Sequence, residues 1–126
     1  MLGEHPIDVM LLATDLDVAR QFYGQKLGLE ILIEDDQFLT FQCGGGTRLV
    51  ITKSTTGTAD EATQASWRVN DIAAETSHLR SLGVELQEVP GLPVVDGVAD
   101  VGFALAAWFV DPHGNSLGLL EFKDRL

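Results

Sequence analysis

The amino-acid sequence predicts an α+β fold built from two copies of one βαβββ unit. Residues 8–31 read DVMLLATDLDVARQFYGQKLGLEI, and residues 64–86 read QASWRVNDIAAETSHLRSLGVEL. In each segment an apolar extended run reaches an Asp, a helical pattern follows, and a Leu-Gly pair ends it. The two Asp residues, Asp15 and Asp71, are 56 positions apart. Self-similarity at this spacing predicts two units that are each too small to bury an apolar face alone.

The first unit is predicted to start with a buried strand that leads into a helix. Asp15 can accept hydrogen bonds from the free N–H groups at a helix start, and Gly28 suits the left-handed conformation that ends a helix. Apolar side chains recur between these two residues at helical spacing. The predicted strands of this unit cover residues 7–14, 29–34, 38–43 and 48–53.

The second unit repeats this order after a polar connection over residues 54–63. Its predicted helix covers residues 71–82, and its predicted strands cover residues 64–70, 84–89, 104–110 and 116–122. Residues 88–103 are rich in Pro and Gly and have no counterpart in the first unit. Because loops of this length are uncommon unless functional, we predict a flap over a ligand cavity, with a disordered insertion as the alternative.

Composition excludes several classes of partner. Nineteen acidic residues against eight basic ones give a formal charge of -11, which repels nucleic-acid phosphates. No apolar run approaches the roughly 20 residues that a membrane-spanning helix needs, and the first residues do not resemble a signal peptide. The single Cys43 cannot form an internal disulfide. We therefore expect a cytoplasmic protein with no nucleic-acid or membrane partner.

Two motifs resemble the vicinal oxygen chelate (VOC) superfamily, which includes glyoxalase I, bleomycin resistance proteins, fosfomycin-resistance enzymes and extradiol dioxygenases. They are TDLDVARQFYGQKLG at residues 14–28 and WFVDPHGNSLGLLEF at residues 108–122. The resemblance implies a single domain over residues 1–126, with repeats at about residues 5–54 and 63–123. It also implies curved mixed sheets around a cleft, and a homodimer.

The resemblance further implies where a metal would be held. Metal-dependent members place four ligands on the concave face, and the matching positions here hold Asp8, Val50, Gln64 and Gly118. Val and Gly carry no side-chain donor, and an amide oxygen is a weak ligand for zinc, nickel or iron. Glu121 lies an odd number of positions past Gly118, so it faces the other side of its strand. The three histidines are predicted to lie on the surface, unpaired, so we expect no metal and no cofactor.

A small-molecule site is predicted on the concave face instead. Strand alternation and the family's ligand parity assign to it Asp8, Met10, Arg48, Val50, Gln64, Ser66, Arg68, Trp108 and Gly118. Trp67 falls on the opposite, helix-covered face and is predicted to be part of the core. A carboxylate at an inward position must be solvated, paired or protonated. Asp8 is therefore predicted either to pair with Arg68 or Arg48, or to contact the ligand.

Two classes of function stay open on this evidence. The first is a metal-free protein of antibiotic-resistance type that binds an aromatic or cationic small molecule. The second is an enzyme of the same fold: a metal-free lyase or isomerase with Asp8 as its base, or a metal-dependent glyoxalase- or dioxygenase-like enzyme with displaced ligands.

Overall fold

The computed structural model describes residues 1–58 and 62–124, which form two β-sheets and two main helices. The chain divides into two units, one comprising Met1–Asp60 with Asp111–Asn115, and the other Glu61–Val110 with Ser116–Leu126. These elements confirm the predicted α+β class. The predicted connection over residues 54–63 lies partly outside the described residues. No helix in the described ranges is long and apolar enough to cross a membrane.

The first unit contains a four-stranded sheet in the order β1-β4-β3-β2. Its elements are β1 (Asp8–Ala13), α1 (Leu16–Ala19), a π-helical continuation of α1 (Arg20–Lys26), β2 (Ile31–Glu34), β3 (Phe38–Gln42) and β4 (Arg48–Lys53). Strands β1 and β4 are parallel, and the other neighbours are antiparallel. All four strands were predicted, with ends that differ by at most two residues.

The helix of the first unit begins and ends as the sequence predicts. The Asp15 carboxylate accepts hydrogen bonds from the backbone N–H groups of Asp17 and Val18. Gly28 has a φ of +75°, which a residue with a side chain rarely adopts. The sequence did not predict the π-helical turns, in which the N–H of Leu27 donates to the carbonyl of Phe22, five residues earlier.

One face of the first sheet packs against this helix and forms the core of the unit. Leu11, Leu39, Phe41 and Ile51 are at most 1% exposed. The rings of Phe41 and Tyr23 lie 5.8 Å apart, which joins the sheet to the helix. Burial of these side chains stabilises the unit by about 1.5–3 kcal/mol for each large residue.

The second unit contains a five-stranded sheet in the order β5-β9-β8-β7-β6. Its elements are β5 (Ala65–Arg68), α2 (Ile72–Ser81), β6 (Val94–Val95), β7 (Val98–Asp100), β8 (Ala104–Val110) and β9 (Ser116–Phe122). Phe109, Leu117 and Leu119 are buried on one face. Trp67 stacks on Phe109 with ring centroids 6.2 Å apart, so Trp67 belongs to the core face, as predicted.

The predicted strand over residues 84–89 is wrong. This segment has no regular strand, although the N–H of Gln87 donates to the carbonyl of Trp108 at 2.8 Å. A hairpin of β6 and β7 pairs with β8 instead, in the register Ala99↔Ala106. Asp96 and Gly97 both have positive φ at its turn, as tight hairpins require. Residues 88–103 therefore extend the sheet rather than forming a disordered insertion; their role as a flap stays a prediction.

A buried polar network in the first unit holds the turn that follows β8. The Tyr23 hydroxyl donates to Asp111 Oδ2 at 2.5 Å, and Asn115 Nδ2 donates to the same oxygen at 2.7 Å. Asn115 Nδ2 also donates to the Leu12 carbonyl, and Asn115 Oδ1 accepts from the Thr58 hydroxyl. Burial and the neighbouring Asp111 charge raise the pKa of Tyr23 far above its usual value. The phenol therefore stays protonated and remains a donor.

Replacing Tyr23 with Phe should destabilise the protein, because it removes one donor from the buried Asp111 carboxylate. A hydrogen bond to a charged group contributes about 1.5–3 kcal/mol, so the free energy of unfolding should fall by about that amount in urea denaturation. Thr58→Val, which removes a neutral and half-buried bond from the same network, is the matched control and should cost less. Equal losses from the two changes would contradict the role assigned to Asp111.

Candidate functional site

The open face of the first sheet carries four of the predicted site residues. Asp8 and Met10 alternate with buried Leu11 on β1, and Asp8↔Arg48 and Met10↔Val50 are partners across the parallel pair. Met10 is 61% exposed, whereas Val50 is 7% exposed. The structure therefore brings these four side chains to one face, opposite the helix.

Asp8 and Arg48 form a bidentate ion pair on this face. Arg48 Nε donates to Asp8 Oδ1 at 3.0 Å, and Arg48 Nη2 donates to Asp8 Oδ2 at 2.6 Å. These hydrogen bonds from Arg48 hold the pKa of Asp8 below its ordinary value, and Asp8 raises the pKa of Arg48 in return. The parallel register of β1 and β4 explains the pair, because it sets the two residues side by side. Of the two arginines that the sequence left open, Arg48 is the partner.

The open face of the second sheet carries the other predicted residues. Ser66, Gly118 and Trp108 are successive partners across β5, β9 and β8. Partners in neighbouring strands share a face, so these three residues form one row opposite the half-buried Trp67 and the buried Phe109. The predicted choice of Trp108 over Phe109 for this face is consistent with the register.

Gly118 leaves bare backbone at the centre of that row. A Cβ atom placed on it would lie 2.8 Å from the Ser66 hydroxyl and 3.4 Å from the Ala107 carbonyl. Gln64 directly precedes β5 in the sequence. Its side-chain oxygen accepts a hydrogen bond from the backbone N–H of Ser116 at 3.0 Å. The Gln64 amide is thus committed to holding β9.

Arg68 is the one charged side chain that β5, β9 and β8 place on this face, where its partners in register are Leu120 and Ala106. It is exposed, and within residues 1–58 and 62–124 it has no ion-pair partner. Glu121 points to the other face, as predicted, and accepts a hydrogen bond from the N–H of Ile72 at the start of α2. Arg68 is therefore free to meet a ligand.

The four positions at which the family's metalloenzymes hold an ion do not suit one here. Asp8 is paired with Arg48, Gln64 is bonded to Ser116, and Val50 and Gly118 have no donor. Across the part of the chain that the structure describes, no three His, Cys, Asp or Glu side chains converge on one point. The donor set does not fit a divalent transition metal.

His113 is not the simple surface residue that the sequence predicted. It is half-buried, and its Nε2 atom accepts a hydrogen bond from the backbone N–H of Asp15 at 3.2 Å. The sequence missed this contact because 98 residues separate the two partners. His113 therefore helps to fix the start of α1.

A polar depression of about 580 Å³ lies in the first unit, where α1 begins, and the sequence did not predict it. Its lining consists of Thr14, Asp15, Leu16, Asp17, Arg20, Asp35, Asp36, Gln37 and Lys53. Several of these charges are already committed: Asp15 caps the helix, Asp17 pairs with Arg20 at 2.7 Å, and Asp35 accepts from the N–H of Gln37. The lining thus satisfies local structure, and we assign the depression no chemistry.

Comparison with known proteins agrees with this fold. The family model described as Glyoxalase/Bleomycin resistance protein/Dioxygenase superfamily matches residues 7–119. Among curated protein sequences, none matches the chain significantly.

Solved structures of low sequence identity are also similar. TnmS3, an antibiotic binding protein from Streptomyces sp. CB03234, is 22% identical with a TM-score of 0.73, over 94% of this chain and 96% of that chain. Lactoylglutathione lyase from Agrobacterium tumefaciens is 20% identical with a TM-score of 0.71, over 93% and 92%. A glyoxalase family protein from Enterococcus faecalis is 23% identical with a TM-score of 0.72, over 96% and 100%. At these identities the likeness shows the fold, and it confirms the predicted architecture.

The Asp8–Arg48 pair should be visible in a titration of the Asp8 carboxyl by NMR. Because Arg48 lowers the pKa of Asp8, the stabilisation from this pair is present above the ordinary Asp value and is lost as pH falls through the lowered one. Arg48→Met should return the pKa of Asp8 towards its ordinary value. Arg68→Met is the matched control and should leave it unchanged; an equal response to both changes would refute the assignment of Arg48 as partner.

Proposed function

Because the chain belongs to the glyoxalase/bleomycin resistance protein/dioxygenase superfamily, we propose that it is a metal-free protein that binds an aromatic small molecule. The fold alone does not choose among the activities that this superfamily hosts. The choice depends on the side chains at the open faces of the two sheets.

The observation that carries the proposal is the state of the four family ligand positions. Two of them hold Val50 and Gly118, which offer no side-chain donor. The other two hold Asp8 and Gln64, whose oxygens already accept hydrogen bonds within the protein. What remains at these faces is apolar and aromatic surface with few polar groups, which is the usual lining of a small-molecule site. Met10 and Trp108 supply that surface, and Arg68 and Ser66 supply polarity.

The state of Asp8 also argues against a metal-free enzyme that uses this residue as its base. An efficient general base has a pKa near the working pH, around 7. The hydrogen bonds from Arg48 move the pKa of Asp8 in the opposite direction, below its ordinary value. Asp8 is thus a weak base and a poor candidate for proton abstraction.

The same ion pair bears on the charge of the ligand. The proposal of a cationic ligand depended on Asp8 and on the total charge of -11. Arg48 offsets the Asp8 charge at this face, so the local attraction for a cation is reduced. An aromatic ligand is the proposal that the faces support better.

A sequestering role of antibiotic-resistance type is the biological form that we propose for this binding. TnmS3, which has the same fold, is an antibiotic binding protein. We further propose that residues 1–126 act as one domain in the cytoplasm, with no nucleic-acid partner. In this proposal the hairpin of β6 and β7 controls access to the ligand.

Metal analysis and ligand binding together test this function. The protein, purified without chelator and dialysed against zinc, nickel and iron salts, should retain well under one ion per chain in elemental analysis. Stabilisation by a panel of aromatic compounds, measured as a shift in thermal midpoint, should be the same with and without EDTA. One tightly held ion per chain that Asp8→Ala abolishes would overturn the proposal in favour of the metalloenzyme.

We also propose that the protein is a homodimer, since chains of this type leave apolar sheet surface that a second copy can cover. Ile7 is 70% exposed. Light scattering at micromolar concentration should give about twice the chain mass of 13.6 kDa, and Ile7→Glu should shift the population towards the monomer. A monomeric wild-type protein would refute the dimer without affecting the binding proposal.

A further inference from the structure

We propose, on the basis of the binding function above, that the second sheet selects an aromatic ligand that carries an anionic group. In this proposal the ring contacts the Trp108 indole beside Ser66, and Arg68 pairs with the anion. Nothing in the fold or the family assignment specifies this preference. It follows from three side chains on a single sheet face.

Trp108 provides the contact for a flat ring. Strands in a sheet are about 4.8 Å apart, so the backbones of Ser66 and Trp108 lie roughly 10 Å from each other with Gly118 between them. Gly118 is buried, and the Ser66 hydroxyl, the Ala107 carbonyl and a Thr63 methyl group already surround the position that its Cβ would take, so the ring lies beside Gly118 rather than over it. Trp108 is half-buried, so part of its ring surface stays available for contact. Aromatic pairs of this kind add about 0.5–1.5 kcal/mol beyond the area that they bury.

Arg68 supplies a cation at a suitable distance from this ring position. It follows Ser66 by two residues on β5, about 7 Å along the strand and on the same face. Its neighbours across the sheet, Leu120 and Ala106, are apolar. A free guanidinium beside apolar surface matches a carboxylate in charge and in planar geometry. The face would thus bind a ring and an anion at the same time.

The total charge of the protein does not contradict this preference. The formal charge of -11 repels anions at long range. At physiological ionic strength, however, charges more than about 8 Å away are largely screened. The charge nearest to the ring position on this face is that of Arg68, so the local interaction decides which ligand is retained.

Three naphthalene compounds of nearly equal size test the proposal, namely 2-naphthoate, 2-naphthalenemethanol and 2-naphthylmethylammonium. Their affinities for the full chain are measured by isothermal titration calorimetry at 0.15 M salt. The two indole N–H signals, assigned with the Trp67→Phe variant, report by NMR which tryptophan each compound approaches. We expect 2-naphthoate to bind most tightly and to move the Trp108 signal but not the Trp67 signal.

Matched variants isolate the charge and the ring position. Arg68→Gln should weaken 2-naphthoate about three- to tenfold, as expected for an ion pair that is only partly shielded from water, and should leave 2-naphthalenemethanol unchanged. Lys26→Gln changes the total charge by the same amount on the helix of the first unit and should change neither affinity. Trp108→Leu should weaken all three compounds, because it removes the aromatic surface that the ring contacts. Thermal midpoints establish that each variant is folded.

The outcomes separate this inference from the proposed function. If all three compounds bind equally and Arg68→Gln has no effect, the anionic preference is refuted and aromatic binding stands. Preference for 2-naphthylmethylammonium would also refute it. If none of the compounds binds and the Trp108 signal instead depends on protein concentration, a second copy of the chain covers this face, which refutes the inference. If none binds at any protein concentration and no aromatic compound of the wider panel stabilises the protein, the proposed function fails as well.

Discussion

The structure depends on one constraint, which is that each sheet buries one face beneath its own helix. Successive side chains of a strand point to opposite faces of the sheet. Once one set of alternate residues is buried under the helix, the residues between them must point to the open face. Leu11 is 1% exposed and its neighbour Met10 is 61% exposed, and a shift of one residue would exchange them. The same constraint in the second sheet buries Phe109 and leaves Trp108 on the open face. The candidate site is therefore a consequence of core packing, and its residues cannot be moved to the other face without unfolding the unit.

The Asp8–Arg48 pair determines the chemistry of the first open face. The two residues are 40 positions apart in sequence and become neighbours only because β1 and β4 are parallel and in this register. Because the Asp8 carboxylate is bonded to Arg48, it is a poor general base and a poor metal ligand, and its negative charge is offset. Both partners are substantially exposed, so the pair matters more for the charge that a ligand meets than for the stability of the fold.

Much of the fold could be predicted because its signals are local. The bounds of β4, β8 and β9 match the predicted ranges, since alternating patterns and turn residues define them. The edge of the second sheet could not be predicted in this way. Residues 84–89 give β8 one backbone hydrogen bond, from Gln87, whereas the hairpin of β6 and β7 pairs with β8 in register. No local signal in the sequence distinguishes these two segments. The same limit applies to the candidate site. Face alternation allowed both Arg48 and Arg68 as partners of Asp8, and only the register of the parallel pair selects Arg48. The contact of Tyr23 with Asp111, across 88 residues, had no local signal at all.

The two repeats together make a metal site difficult to build at the four positions that the family's metalloenzymes use. Val50 and Gly118 stand at equivalent positions of the two repeats, so neither repeat retains the donor that a chelate needs from its last strand. Restoring a site would require a donor at both positions, and a side chain at Gly118 would have to displace the Ser66 hydroxyl. It would also require Asp8 to leave Arg48, and Gln64 to leave the backbone N–H of Ser116. Four separate changes are then needed before an ion could be held, whereas the proposed organic ligand depends on the single side chains of Arg68 and Trp108. Under the proposed function, the open faces are therefore better placed to vary an organic ligand than to acquire metal-dependent catalysis.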